Sequence, residues 1–370
     1  MVRSWYYRYE DLMTYVVRFF EHLRVPREDA RITAEVLLAA DLRGVNSHGI
    51  IRLHTYYGDR LLKGRIDPFS PLTTLRESPV TLSLDGGNGL GQVVGCQAMQ
   101  RCLEKARSSG AALVTVRNSN HYGIAGYYAM MALPHDMIGI ALTNSQPLMA
   151  PTYGKTAILG TNPIAIAIPA GKEQPFVLDM ATSIVPIGKI NVYSKADELI
   201  PEGWGIDRTG CITQDPDEVL DGGALMPLGG SDLMRGYKGY GLSLAVDLLS
   251  GVLSGAAFAD AVGRPSDSNP GSNVGHFFAA IQIEALRDLT GFKDDMDHMI
   301  QLLKGAPKAL GQERIFIHGE KEFAREQRCL AEGVPLMETV VASLKEAGNT
   351  VGVPFDPEPI RSMDCEENGN

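Results

Sequence analysis

The spacing of polar and apolar positions changes period more than once along the chain. Residues 9–24 carry apolar side chains at three- and four-residue intervals, which predicts an amphipathic helix. A second helical pattern opens near Pro26, whose fixed φ suits a first turn, and runs to about Arg43, where Gly44 stops it. A third is expected from an Asn46–Ser47 cap to Gly64. After "RIDPFSP" the texture becomes that of strands: "VTLSLDGG", "ALVTVRN", "IGIALTN", "AIAIPA" and "FVLDMATS" are β-branched runs closed by turn residues, with helical patterns at 92–109 and 124–133 between them. Residues 195–230, rich in Gly, Pro and Asp, read as a long surface excursion. A helical run from Tyr237 and the strand "VGHFFAAIQI" follow. Helical pattern then returns from about Asp294 to Ala347, broken by "ERIFIHGEKE", and "SMDCEENGN" reads as a frayed acidic tail. Strands alternating with helices predict an α/β fold, and no internal repeat is visible.

Composition narrows the function class. At 370 residues the chain exceeds the size of one growing core, so two lobes are expected. A net charge of −10 and a pI near 5.3, with every Lys/Arg cluster interrupted by acids, exclude a nucleic-acid surface. The N-terminus lacks the apolar core of a secretory signal, and the apolar run from Gly241 contains Asp247 and four glycines, so neither secretion nor a membrane span is expected. Five cysteines, at 96, 102, 211, 329 and 365, never form C-x-x-C; they suit a reducing cytoplasm and offer no zinc site.

Several motifs carry nothing. "DGGNGLGQ" has no register that gives G-x-G-x-x-G, and "GKT" at 154–156 follows Met149 where a phosphate loop needs glycine. H-E-x-x-H and other metal spacings are absent. Ser47 adjoins His48, yet sequence neighbours rarely face each other and no G-x-S-x-G elbow exposes the serine. Two constellations remain. His48 and Arg52 are four apart, one face of a helix: Arg can fork onto a carboxylate while His exchanges a proton with the neighbouring oxygen, and the positive neighbour would lower the His pKa. In "VRNSNHYG" an apolar strand breaks into polar residues and His121, the place where open α/β sheets bind ligands. "LTNSQP", with Ser145, "LGTNP", with Thr161, and "LDMATS" repeat that design and predict a crevice lined by Asn, Ser and Thr.

"DLRGVNSHGIIRL", "VRNSNHYGIAGYYA", "ALTNSQPLMAPTYGKTAILGTNPIAIAIP", "FVLDMATS", "PLGG", "YKGYGLSLAVDLLSGVLSGA" and "HGEKE" resemble, in order and from about residue 10 to 347, the blocks of the type-2 malate/L-lactate dehydrogenase family. That family includes ureidoglycolate and sulfolactate dehydrogenases, diketogulonate reductase and piperideine-2-carboxylate reductase. The resemblance implies an NAD- or NADP-dependent oxidoreductase acting on a small 2-hydroxy or 2-keto acid, malate or lactate first, with reduction of a cyclic imine carboxylate or oxidation of ureidoglycolate or sulfolactate as alternatives. It implies a non-Rossmann, mixed-sheet cofactor domain over 73–293 with the 195–230 excursion, beside a helical domain from 1–72 plus 294–370. A homodimer with sites near the subunit interface is expected. The matching residues make His48 the proton donor/acceptor, with Ser47 beside it, and give His121 the same role in some members. The match gives Ser145, Asp179, Met180, Ala181, Lys238, Gly319 and Glu320 to the cofactor; Arg52, which the spacing casts as carboxylate anchor, and Thr161 are expected at the substrate. Members usually carry Pro where His318 stands, and often Arg in place of Ile187.

Overall fold

The computed structural model describes residues 2–263 and 271–365. Strand β1 (Val2–Tyr7) leads into helices α1 (Tyr9–His22) and α2 (Arg27–Leu42). Acids in the first turn of each, Glu10 and Asp11 or Glu28 and Asp29, complement the helix dipole. The buried face of α1, Leu12, Tyr15, Val16, Phe19 and Phe20, is the predicted stripe. The expected third helix does not form as such. Asn46–His48 is a single 3-10 turn, Leu53–Gly58 a stretch of wide i→i+5 turns, and only Asp59–Leu62 (α3) is α-helical. Neither Asn46 nor Ser47 caps anything: the turn has no side-chain cap. The reason lies in Gly49, whose extended backbone (φ −85°, ψ −152°) breaks the helical path where the Asp41 carboxylate intrudes and accepts the Ile50 N–H at 2.8 Å.

Seven strands form a mixed sheet in the order β2-β3-β4-β11-β5-β6-β7. They are β2 (Thr73–Glu77), β3 (Thr81–Asp85), β4 (Ala111–Ser119), β5 (Met137–Thr143), β6 (Ile164–Ile168), β7 (Phe176–Met180) and β11 (Val274–Gln282). Only the β3–β4 pair is parallel, with α4 (Gly91–Ser109) as its crossover; the other neighbours are antiparallel. Among the described residues this is a mixed-sheet α/β fold, as expected. Helix α5 (Ala125–Met130) lies against β5 and β6, closing a core of Val114, Val116, Tyr128, Ala141, Ala165 and Phe278. The excursion is ordered: α6 (Ile187–Ala196) and α7 (Pro216–Leu220) pack beside a small sheet of β8 (Gly205–Ile206), β9 (Ile212–Thr213) and β10 (Ala224–Leu225).

Helix α8 (Tyr237–Asp247), α9 (Leu289–Gly305), α10 (Glu320–Glu332) and α11 (Glu338–Val351) complete the helical set. A third sheet went unforeseen. β1 lies between β12 (Val334–Met337) and β13 (Arg361–Cys365), so part of the expected acidic tail is a strand, and residues 366–370 lie outside the described residues. One core therefore joins both chain ends, packing Leu12, Phe19 and Leu37 with Leu336, Leu344 and Val351, and Tyr57 belongs to it. Helix α9 instead packs at the sheet side, where Asp297 accepts the N–H groups of Gly171, Lys172 and Glu173.

Candidate active site

Strand register gathers the polar strand ends. Ser119, at the end of β4, pairs with Val274; His276 pairs with Thr143; Leu142 pairs with Ile164, and Ile164 with Met180. The end of β4, the end of β5, the start of β6 and the end of β7 thus share one edge of the sheet. "LGTNP" is the approach to β6 rather than the end of a strand, and joins the others because β6 runs antiparallel to β5. The loops are tied together there. Asn162 Oδ1 accepts the Ser145 N–H at 3.1 Å, Ser145 Oγ accepts the Thr161 N–H at 3.1 Å, and the Thr182 hydroxyl donates to the Asn162 carbonyl at 3.0 Å.

The two histidines meet. The His48 and His121 rings stack with centroids 5.4 Å apart and 23° between planes. Ser47 Oγ lies 2.9 Å from His48 Nδ1, so here the sequence neighbours do face each other, across the 3-10 turn. Arg52 Nε donates to the Ser47 carbonyl at 2.8 Å, fastening the guanidinium to the same turn. Burial pushes the His48 pKa down to about 4, and the Arg52 charge adds to it; the expected direction holds, but loss of hydration is the larger cause. His121 is held well below its ordinary value by burial first, then by His48, Arg52, His276 and Arg60. Among the described residues Arg52 has no carboxylate partner; its guanidinium contact is the Ser47 carbonyl.

A cavity of about 500 Å³ opens beside this turn. Ser47, His48 and Thr161 stand at its wall with Asp179, Met180 and Ala181, and the Phe316–Gly319 loop lies on it too. Small residues, Gly123, Ala125, Gly126 and Gly319, keep it open, which suits a flat dinucleotide lying close to backbone, and the volume is ordinary for a cofactor site. Asp179 lies exposed on the cavity wall; crowding by the surrounding protein raises its pKa to about 6, although it accepts the Gly126 N–H at 2.8 Å. Gly319 (φ +97°) takes a left-handed conformation that a side chain would strain. His121, Arg52 and Ser145 adjoin the wall through His48, Ser47 and Thr161 respectively.

Two expected cofactor residues stand elsewhere. Glu320 is turned into the protein: its carboxylate accepts the Ile317 N–H at 3.1 Å and pairs with Lys304 and Arg314. Burial opposes its ionisation, but these partners hold its pKa below the usual value. Lys238 is exposed on α8, away from the cavity wall. Residues not singled out from the sequence also belong here. Asp41 carries the His48 turn; Tyr57 OH lies 2.6 Å from His121 Nδ1; Arg43 lines the cavity, paired to Glu326 at 2.9 Å. His276 bridges Ser119 and Thr143 at 2.8 Å each and stacks on Tyr122. The one available signal was an acid inside the apolar stripe of α2, in "AADLRG".

Known proteins bear directly on this arrangement. The malate/L-lactate dehydrogenase family model matches residues 7–345. The malate dehydrogenase of Pyrococcus abyssi is 51% identical over 345 residues, covering 93% of this chain and 94% of that protein. The L-sulfolactate dehydrogenase of Methanocaldococcus jannaschii is 40% identical over 338 residues, covering 91% and 95%. The solved malate dehydrogenase of Pyrococcus horikoshii OT3 superposes with a TM-score of 0.86 at 47% identity, over 95% of this chain and 96% of that one. With a histidine pair and Arg52 gathered beside the cavity, and matches of this length, the chain belongs to the malate/L-lactate dehydrogenase family and is a dehydrogenase acting on CH–OH groups.

Proposed function

We propose that the chain oxidises a small 2-hydroxy acid reversibly to the 2-keto acid, malate or lactate first, with NAD or NADP as partner. The observation that carries this reading is Arg52: a half-buried residue beside two histidines, its guanidinium held to the Ser47 carbonyl, with no carboxylate partner among the described residues. Such a cation is stable when an anionic ligand completes it, and a planar carboxylate matches its fork. Arg52 and Thr161 then hold the substrate carboxylate, which brings the C2 hydroxyl to the histidine pair. His48, neutral at physiological pH and steadied by Ser47, takes the hydroxyl proton and returns it in the reverse direction. A nicotinamide bound in the cavity would supply the hydride acceptor for C2. Ser145, Asp179, Met180, Ala181 and Gly319 would hold that cofactor, and Glu320 would act by fixing the Phe316–Gly319 loop through the Ile317 N–H.

A panel of malate, lactate, oxaloacetate, pyruvate and piperideine-2-carboxylate with both cofactors tests the reading. Turnover of malate or lactate is expected, and Arg52→Lys should raise KM roughly tenfold or more, because the forked contact is lost. Turnover of the imine alone would overturn it.

The working form is proposed to be a cytoplasmic homodimer. Helix α8 and the turns after it expose Tyr237, Leu242, Leu248, Val252 and Leu253, a stripe of the kind a partner subunit covers. Lys238 on the same helix would reach the cofactor from such an interface. Light scattering should give twice the chain mass; a monomer at micromolar concentration would reject the dimer. Cys96, Cys102 and Cys329 are buried thiols and Cys211 an exposed one, in keeping with a reducing compartment. Among the described residues no helix is long and apolar enough to cross a membrane.

A further inference from the structure

We propose that Tyr57 is a positioning residue that fixes His121 as the tautomer protonated on Nε2, so that His121 serves as a hydrogen-bond donor to the substrate's C2 oxygen while His48 carries the proton. The inference rests on the proposed function for the second part and on geometry alone for the first. His121 Nδ1 has two neighbours, the Gly123 N–H at 3.3 Å and the Tyr57 hydroxyl at 2.6 Å. A backbone amide can only donate, so Nδ1 is an acceptor and carries no proton. The Tyr57 hydroxyl must then donate as well, and the one proton of the neutral ring sits on Nε2. Among the described residues Nε2 has no hydrogen-bond partner, which leaves its N–H for a ligand.

The surroundings keep the ring in that state. His48, Arg52, His276 and Arg60 face it as present or potential cations, and Tyr56 and Tyr57 pack beside it; a second proton on His121 would be buried among them. Tyr57 is itself fully buried, and burial raises its pKa above the ordinary value, so it holds its proton rather than passing it to the imidazole. It acts as a lock and not as a relay. His276 cannot substitute, since both of its nitrogens are engaged by Thr143 and Ser119. A bound nicotinamide would supply the acceptor for the C2 hydride; in oxidation His48 would take the O–H proton while the His121 Nε2–H stabilises the oxygen as it becomes a carbonyl.

The test uses the full-length protein labelled with ¹⁵N-histidine, with His121→Gln to assign the resonances. In the native protein without ligands at pH 7.5, His121 should show an unprotonated Nδ1 and a protonated Nε2. In Tyr57→Phe the difference between the two nitrogens should shrink as the other tautomer becomes populated. The variant's kcat should fall roughly tenfold, with NADH and NADPH affinity by fluorescence titration unchanged. A native His121 protonated on Nδ1 would overturn the proposal, as would a Tyr57→Phe variant with native spectrum and native kcat. The native spectrum, once assigned with His121→Gln, needs no turnover, so it stands apart from any failure of the hydroxy-acid reading.

Discussion

His48→Asn is expected to lower kcat for hydroxy-acid oxidation by roughly 10²–10⁴-fold, the usual worth of a positioned acid–base group. Cofactor affinity should stay near native, because the Asp179–Ala181 and Phe316–Gly319 segments of the cavity wall are untouched. The pH profile adds a signature. Burial and Arg52 bring His48 to about 4, so it is neutral and competent as a base through the physiological range. Native kcat/KM for oxidation should therefore hold level down to about pH 5 and fall below it, where His48 gains a proton; in the Asn variant that acid limb should vanish. Steady-state kinetics from pH 4.5 to 8, with a cofactor titration, checks both. A variant that keeps native kcat would remove His48 from the chemistry.

Gly49→Ala should damage stability and rate together. A Cβ at this position would lie 2.1–2.2 Å from the three carboxyl atoms of Asp41. Asp41 cannot simply step aside: it is buried, and its carboxylate satisfies the Ile50 N–H at 2.8 Å. Burial also pushes its pKa up to about 7, against the pull of Ile50 and Arg325, so its hydration is already lost in the native fold. Relief must come from moving the Asn46–Ile50 turn. Overpacking of this kind costs about 1–3 kcal/mol, and a shift of about 1 Å in a catalytic group costs on the order of 10²-fold in rate. Denaturant unfolding should report the first loss and kcat the second. Gly49→Ala with native stability and native kcat would mean that the turn is not braced by Asp41.

What could be read from the chain and what could not divide along physical lines. The strand-and-helix alternation from 81 to 180, and helices such as Tyr9–His22, follow from local period, and the sheet is where that period put it. The edge sheet was hidden because β1 and β13 are paired across almost the whole chain, and pairing partners leave no local mark. The His48 segment was misread as a capped helix since Asn-Ser is a good cap sequence; what overrode it was a long-range intrusion, the Asp41 carboxylate against Gly49. His48 surfaced as a site candidate because a His–Arg spacing is a local signal, and Thr161 and the "LDMATS" residues because they sit in polar runs beside apolar strands; Ser47 entered only with the family resemblance. Tyr57 and His276 did not, because a buried tyrosine and a histidine within an apolar strand look like core until their partners are known.

The core that ties both chain ends together also sets a timetable. His48, Arg52 and Tyr57 are made long before Leu336, Leu344 and Val351, with which Tyr57 shares a core, and β1 waits for strands that begin at Val334 and Arg361. During synthesis the apolar faces of α1 and α2 lack their full cover until β12 and α11 have left the ribosome, a long interval in which they are open to wrong partners. The same delay leaves Tyr57, which contacts His121, without its full packing until α11 is made, so the surroundings of the histidine pair mature late in folding.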